Sequence, residues 1–203
     1  MDTLLNLMKS HRGVRNFSSK PVPRNILQKI IEAGSVAPAG AGIESRHIIV
    51  IEDAAIRHAV RTTCEAGEIT WVESLPPSAR KRILETPGFD TSLDYLEKAP
   101  ILIVITTRPR DPEFPYAVES AFLSLGYMLV MVEGLGLGTI TYTPSLIEDL
   151  ADAELRRILG LPDGEAVQVM LPVGYPEQDP LMKPVRKELL NVYQDRFGQP
   201  IQF

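Results

Sequence analysis

The stretch from Tyr116 to Glu133 constrains this chain more than any other, because read as a helix it is apolar almost all the way round. An amphipathic surface helix buries one stripe and shows water a polar face, whereas a helix with no polar face belongs inside a core or across an interface between two copies. A bilayer is the third place for such a helix. Its most apolar part, Ala121 to Val132, is broken by Ser124 and Gly126 and falls well short of the ~20 apolar residues that span hydrocarbon. The stretch therefore predicts a long buried helix and no membrane role.

Shorter apolar runs supply strands to pack against it. His47 to Ile51, Ile101 to Ile105 and Val167 to Val173 are β-branched runs of strand length, and Thr139 to Thr143 reads as a further strand after the glycine turn Gly134 to Gly138. Helices are expected over Asp2 to Lys9, from Pro23 to Ser35, after the cap Asp53, and from Asp152. In the second of these, Ile26, Ile30 and Ala33 recur at helical spacing with Leu27 and Ile31 beside them. The segment from about 65 to 98 is polar and broken by Pro76-Pro77 and Pro87-Gly88, so it reads as a helical flap. Helices and strands alternate irregularly without repeats, which gives an α+β class with a small sheet wrapped by helices. At 203 residues and 44% hydrophobic content, one domain over 1–203 is expected.

Composition narrows the function. A formal charge of -5 disfavours nucleic acid as a partner, since such surfaces neutralise phosphates with a basic face. Cys64 is the single cysteine, so one chain can form neither a disulfide nor a multi-cysteine metal cage, which suits a cytoplasmic protein. The three histidines, His11, His47 and His58, lack ligand spacing, and no metal site is expected. The phosphate-loop, zinc-protease and serine-esterase motifs are missing. Gly136-x-Gly138 follows a helix and precedes a strand, the reverse of the order a dinucleotide fingerprint needs.

Two cationic clusters stand out on this acidic chain: His11, Arg12 and Arg15 near its start, and Lys183, Arg186 and Lys187 near its finish. Together they can hold one phosphate, because guanidinium forks and ammonium point charges match phosphate oxygens. As separate features they are equally well two solvated surface patches.

The order of motifs adds to this. His11-Arg12-Gly13-Val14-Arg15-x-Phe17, then Pro21-Val22-Pro23, then Ala37-Pro38-Ala39-Gly40 before a strand resembles the opening of the FMN-dependent nitroreductases. Ala99-Pro100, Gly134 to Thr139, Leu171 to Pro176 and Lys183-Pro184-Val185-Arg186-Lys187 continue the likeness over nearly the whole chain. The resemblance implies a three-layer nitroreductase-like fold with a mainly antiparallel sheet, working as a homodimer whose C-terminal tail extends onto the partner subunit. It also implies FMN as cofactor, with NADH or NADPH as reductant and a nitroaromatic, quinone or similar electron-poor acceptor. The cofactor-binding residues it implies are His11, Arg12, Gly13, Arg15, Arg186 and Lys187 at the phosphate. Pro38, Ala39, Gly40 and Gly42 would reach the ring from the partner subunit, and the backbone of Thr141, Tyr142 and Thr143 would lie near flavin N5. No catalytic side chain is implied, because the flavin carries the chemistry and the protein supplies position and electrostatics.

Several positions depart from the family pattern. His11 stands for arginine, Gly13 for serine, Gly42 for asparagine, Glu44 for glutamine and Ser45-Arg46 for Pro-Trp. An ionised Glu44 would repel a reduced anionic flavin unless it is paired, with Arg46 the nearest cation in sequence. A flavin-binding or nucleotide-binding regulatory protein without turnover, and related flavin chemistry such as reductive dehalogenation, remain the alternatives.

Overall fold

The structure is a computed structural model that describes residues 2–86, 89–109, 111–144, 150–177 and 192–199. Seven helices are described: α1 (Asp2–Ser10), α2 (Arg24–Ser35), α3 (Ala54–Ser74), α4 (Pro77–Leu84), α5 (Tyr95–Lys98), α6 (Ala117–Gly134) and α7 (Leu150–Leu159). They surround a sheet of β1 (Arg46–Ile51), β2 (Ile101–Thr107), β3 (Gly138–Thr139) and β4 (Ala166–Gly174), ordered β1-β2-β4-β3 with every pair antiparallel.

Alternation along the central strands makes three layers. Leu102, Val104 and Met170 point to one face, where they meet Val60, Cys64, Leu96 and Leu155 of α3, α5 and α7. Ile101, Ile103, Ile105, Val169, Leu171 and Val173 point to the other, against Leu27 and Ile30 of α2 and Ala121, Leu125, Met128 and Val132 of α6. Both faces being covered is why these strands read as continuous apolar runs. The register shifts between Ile105 and Thr106, which pair with Val169 and Val167, so Gln168 is the extra residue of a bulge. The bulge explains why Val167 and Val169, two apart in sequence, join opposite cores.

Helix α6 lies against α2 at close range. A Cβ on Gly34 would sit 2.1 Å from Met128 Cε, and Ser124 Oγ donates to the Gly34 carbonyl at 2.8 Å, so the serine that interrupts the apolar run has a partner. The long helix is not buried all round, however. Phe122, Leu123 and Tyr127 are 41%, 45% and 45% exposed and form an apolar stripe facing away from the sheet.

Other expectations shift in detail. α3 runs without a break to Ser74, so the flap proper begins only at Pro76-Pro77; Asp53 Oδ1 caps the helix by accepting from Ala55 N and Ile56 N at 2.8 and 3.0 Å. The signal was present in the buried Val60, Cys64, Gly67 and the half-buried Trp71, which recur at helical spacing through a polar segment. The expected strand from Thr139 to Thr143 is shorter: β3 ends at Thr139, and Tyr142 rejoins the sheet through a lone bridge to Met170. α7 starts at Leu150 rather than Asp152. Most of the tail, including Lys183, Arg186 and Lys187, lies outside the described residues.

Met128 is fully buried between α2 and the sheet. Met128→Ala is expected to lower the free energy of unfolding by about 2–5 kcal/mol, the range for emptying such a site, as a drop in urea midpoint with unchanged slope.

Candidate functional site

The segment 11–17 is bound to the sheet edge by its backbone. Gly13 bridges Thr139 in parallel, Val14 N donates to Thr139 O at 2.9 Å, Phe17 bridges Pro176 and Ser18 N donates to Tyr175 O at 2.9 Å. Val14 and Phe17 are buried as the apolar anchors between these bonds. The alternation carries Gly13 to the exposed side, with His11, Arg12 and Arg15 half-buried around it. Gly138 is required by the close approach, since a Cβ there would lie 2.6 to 2.9 Å from three carbons of Val14, a β-branched side chain with little freedom to move.

Each cation of this cluster also has partners within the chain. His11 Nδ1 is 2.7 Å from Glu133 Oε1 at the end of α6. Arg12 Nη1 donates to the carbonyls of Lys9, Ser10 and His11 at 3.2, 2.6 and 2.5 Å, which caps the end of α1. The Arg15 guanidinium carbon lies 5.6 Å from the Tyr95 ring centre, within cation-π range. Asp90 is held below the usual carboxylate range, first by the amide and then by the hydroxyl of Ser92, with Arg15 contributing its charge.

Residues 141–143 lie beside this segment but not as a uniform row of free amides. Tyr142 N donates to Met170 O at 3.0 Å and Met170 N returns to Tyr142 O at 2.8 Å, so the Tyr142 amide is already used by the sheet, while Thr141 is exposed. The expectation that all of 141–143 offer amides to a ring is narrowed accordingly. The buried Tyr142 side chain points toward α3, where its hydroxyl donates to Glu68 Oε2 at 3.4 Å and is 3.5 Å from the Cys64 carbonyl. Burial raises the pKa of both the Tyr142 phenol and Glu68. It also pushes the Cys64 thiol up to about 12, so Cys64 is a packed thiol rather than a nucleophile.

The loop 38–42 is elsewhere. It makes a 3-10 turn at Gly40–Gly42, with Ala41 and Gly42 at φ 54° and 71°. Gly40 N donates to Ser120 Oγ at 2.9 Å, and a Cβ on Gly40 would lie 2.2 Å from Tyr116 Cβ. The loop thus sits at the start of α6, whereas His11 sits against Glu133 at its end. At roughly 1.5 Å per residue, Ser120 and Glu133 are about 20 Å apart along the axis. Within one chain the segment carrying His11, Arg12, Gly13 and Arg15 bridges Thr139, two residues before the stretch Thr141, Tyr142 and Thr143, while Pro38, Ala39, Gly40 and Gly42 lie at the other end of α6.

Glu44 and Arg46 are paired as the sequence suggested, with Arg46 Nε 3.3 Å from Glu44 Oε2. What sequence reasoning missed is the burial of Arg46: its side chain is 2% exposed and donates to four backbone carbonyls besides. Among the described residues no group of three His, Cys, Asp or Glu is placed to hold a metal ion.

The three-layer α+β fold, with a cationic segment laid along a small antiparallel sheet, is of the nitroreductase class. The chain belongs to the nitroreductase family, matching it over residues 8–175. It is 30% identical over 193 residues to an iodotyrosine deiodinase of Thermotoga neapolitana, covering 95% of this chain and 98% of that protein. Among solved structures it resembles an oxidised iodotyrosine deiodinase bound to FMN and 3-iodo-L-tyrosine, with a TM-score of 0.80, 29% identity and coverage of 94% and 98% of the two chains. An FMN-dependent nitroreductase from Clostridium difficile shares the fold, with a TM-score of 0.73, 21% identity and coverage of 95% and 99%.

Two outcomes check this geometry. Gly138→Ala should push Val14 and the segment 11–15 off Thr139, costing about 1–3 kcal/mol of stability in chemical denaturation. Cys64 should react with a thiol-specific reagent at pH 8 only after denaturant is added; rapid labelling of the native protein would contradict its burial.

Proposed function

We propose that the protein is an FMN-dependent oxidoreductase whose two sites are each built from two copies of the chain. The observation that carries this reading is the separation of the two half-sites. The cationic segment with 141–143 lies at one end of α6 and the loop 38–42 at the other, and between them runs the exposed apolar stripe Phe122, Leu123 and Tyr127. A second copy packed on that stripe in two-fold symmetry covers it and sets the loop of each chain beside the cationic segment of the other.

The residues fit the group. On a chain of formal charge -5, a local set of His11, Arg12 and Arg15 beside the exposed Gly13 backbone suits a phosphate monoester; Arg186 and Lys187, which the family resemblance assigns to the same group, lie outside the described residues. When bound, FMN supplies the hydride or electrons. The chain's own contribution is to hold the phosphate, to fix 141–143 through the Tyr142–Met170 bonds, and to close over the ring with 38–42. The reductant is NADH or NADPH.

For the acceptor, a ring compound able to stack on the flavin is the proposed class, in keeping with the 3-iodo-L-tyrosine bound in the deiodinase structure. Within that class halogenated phenols come ahead of nitroaromatics and quinones, because the likeness of nearly full length at 30% identity is to an iodotyrosine deiodinase, while the likeness to the nitroreductase above shows the fold alone.

The test starts with the purified protein given excess FMN and desalted. Retention of about one flavin per chain is expected, with loss in the Arg15→Ala, Arg186→Ala double variant. Leu123→Glu should give a monomer on size-exclusion chromatography and lose the flavin with it. Under anaerobic reduction, halide release from 3-iodo-L-tyrosine and reduction of a nitroaromatic are then measured side by side, with NADH and NADPH compared as electron sources. A protein that retains flavin but turns over neither acceptor would be a binding protein on this fold, and a monomer that retains flavin would refute the shared site.

A further inference from the structure

Arg46 stands at the first position of β1, an edge strand, where an arginine would ordinarily reach into water. Here the guanidinium turns inward and is all but sealed from solvent. Nη2 donates to the Ala37 carbonyl at 2.5 Å and to Ser35 O at 3.3 Å; Nη1 donates to Ser120 O at 3.0 Å and Pro38 O at 3.2 Å. Glu44 closes the outer side, at 3.3 Å from Nε and 3.4 Å from Nη2. The acceptors come from three elements: the end of α2, the loop that follows it, and the first turns of α6.

Three features make this more than an ordinary buried ion pair. The Ser35 carbonyl belongs to the last turn of α2, where helix carbonyls lack partners and a cation is favoured. Ala37 and Pro38 open the loop 38–42, which is otherwise tied to α6 only through Gly40 N and Ser120 Oγ among the described bonds. A planar fork with several fixed donors can span carbonyls on three elements, and a lysine at this place cannot. Glu44, whose side chain is 65% exposed, is the one formal negative charge on the guanidinium among the described residues, so the pair is neutral while both are present.

We propose that Arg46 is a positioning residue for the flavin site: it locks the loop 38–42 onto the start of α6 and neutralises Glu44 where the loop meets the flavin ring. The proposal rests on the reading of 38–42 as a flavin-facing loop. Its consequences separate into a mechanical and an electrostatic part. Without the fork the loop loses its anchor and flavin affinity falls. Without the compensating charge, Glu44 disfavours the reduced, more negative flavin and the midpoint potential falls. Removing Glu44 instead leaves the guanidinium uncompensated and raises the potential.

The experiment compares wild type, Arg46→Lys, Arg46→Gln and Glu44→Gln. In protein without added FMN, amide hydrogen exchange is expected to speed up over residues 37–42 in both Arg46 variants and to stay unchanged in the sheet. FMN affinity by fluorescence quenching should weaken about tenfold or more in both, the equivalent of one charge-assisted hydrogen bond. Anaerobic titration should give a lower potential for Arg46→Gln and a higher one for Glu44→Gln. Glu44→Gln alters an exposed side chain and keeps the potential arm decisive if an Arg46 variant does not fold. Arg46→Lys with wild-type exchange, affinity and potential would overturn the proposal, as would equal potentials in wild type and Glu44→Gln. Weaker flavin binding with unshifted potentials would reduce Arg46 to a structural residue and overturn the electrostatic part. If wild type binds no FMN, the proposed function fails, while the exchange comparison still decides whether Arg46 anchors the loop.

Discussion

Helix α6 carries apolar side chains around its whole circumference, and one chain can bury only one side of it. Met128, Leu125 and Val132 pack on the sheet and α2, and Phe122, Leu123 and Tyr127 remain in contact with water. Burying apolar surface gains about 25 cal/mol per Å², so a contiguous stripe of this kind strongly favours a second surface upon it. The same helix spaces the loop 38–42 from the segment 11–15, because one packs against Ser120 and the other against Glu133. The exposed apolar stripe and the distance between the loop 38–42 and the segment 11–15 are thus two consequences of one element, and the proposed two-copy site rests on both. A shorter or more amphipathic helix would remove both.

The sequence was most readable where a single physical cause acts on a local pattern. The central strands are buried on both faces, so they appear as unbroken apolar runs, and their helices show stripes at helical spacing such as Leu27 and Ile30. It was less readable where a tertiary contact decides. The end of β3 is set by Tyr142 pairing with Met170 rather than continuing the ladder, which no local propensity encodes. α3 runs on into a polar segment because Val60, Cys64 and the half-buried Trp71 pack with Leu96 of α5 and with Leu102 and Val104 of the sheet, a few apolar positions spread thinly among charged ones. At the site, the grouping of His11, Arg12, Gly13 and Arg15 was legible as a charge cluster. Its dual use was not: His11 answers Glu133 across the fold and Arg12 caps α1, contacts invisible to spacing.

That dual use bears on how an acidic chain can hold an anion. Cations already held by backbone carbonyls, by Glu133 and by the Tyr95 ring are partly organised before a ligand arrives, so less side-chain entropy is lost on binding. Among the described residues Glu133, 2.7 Å from His11 Nδ1, brings a formal negative charge to the histidine. The proposed phosphate site rests on a local excess of positive charge, on a chain whose formal net charge is -5.

The departures from the family pattern in 42–46 act as a set. Where the pattern has Pro-Trp, this chain has Ser45 and Arg46, both 8% exposed, so two polar side chains occupy interior positions. A buried guanidinium is tolerated only if its donors are satisfied and its charge is balanced. The carbonyls of Ser35, Ala37, Pro38 and Ser120 meet the first condition and Glu44 meets the second. Changing glutamine to glutamate without introducing the arginine would leave a bare carboxylate on the loop, and introducing the arginine alone would leave a bare buried cation. The two changes balance each other in charge, the exposed Glu44 against the buried Arg46, which is why a sequence that carries one gains from carrying the other.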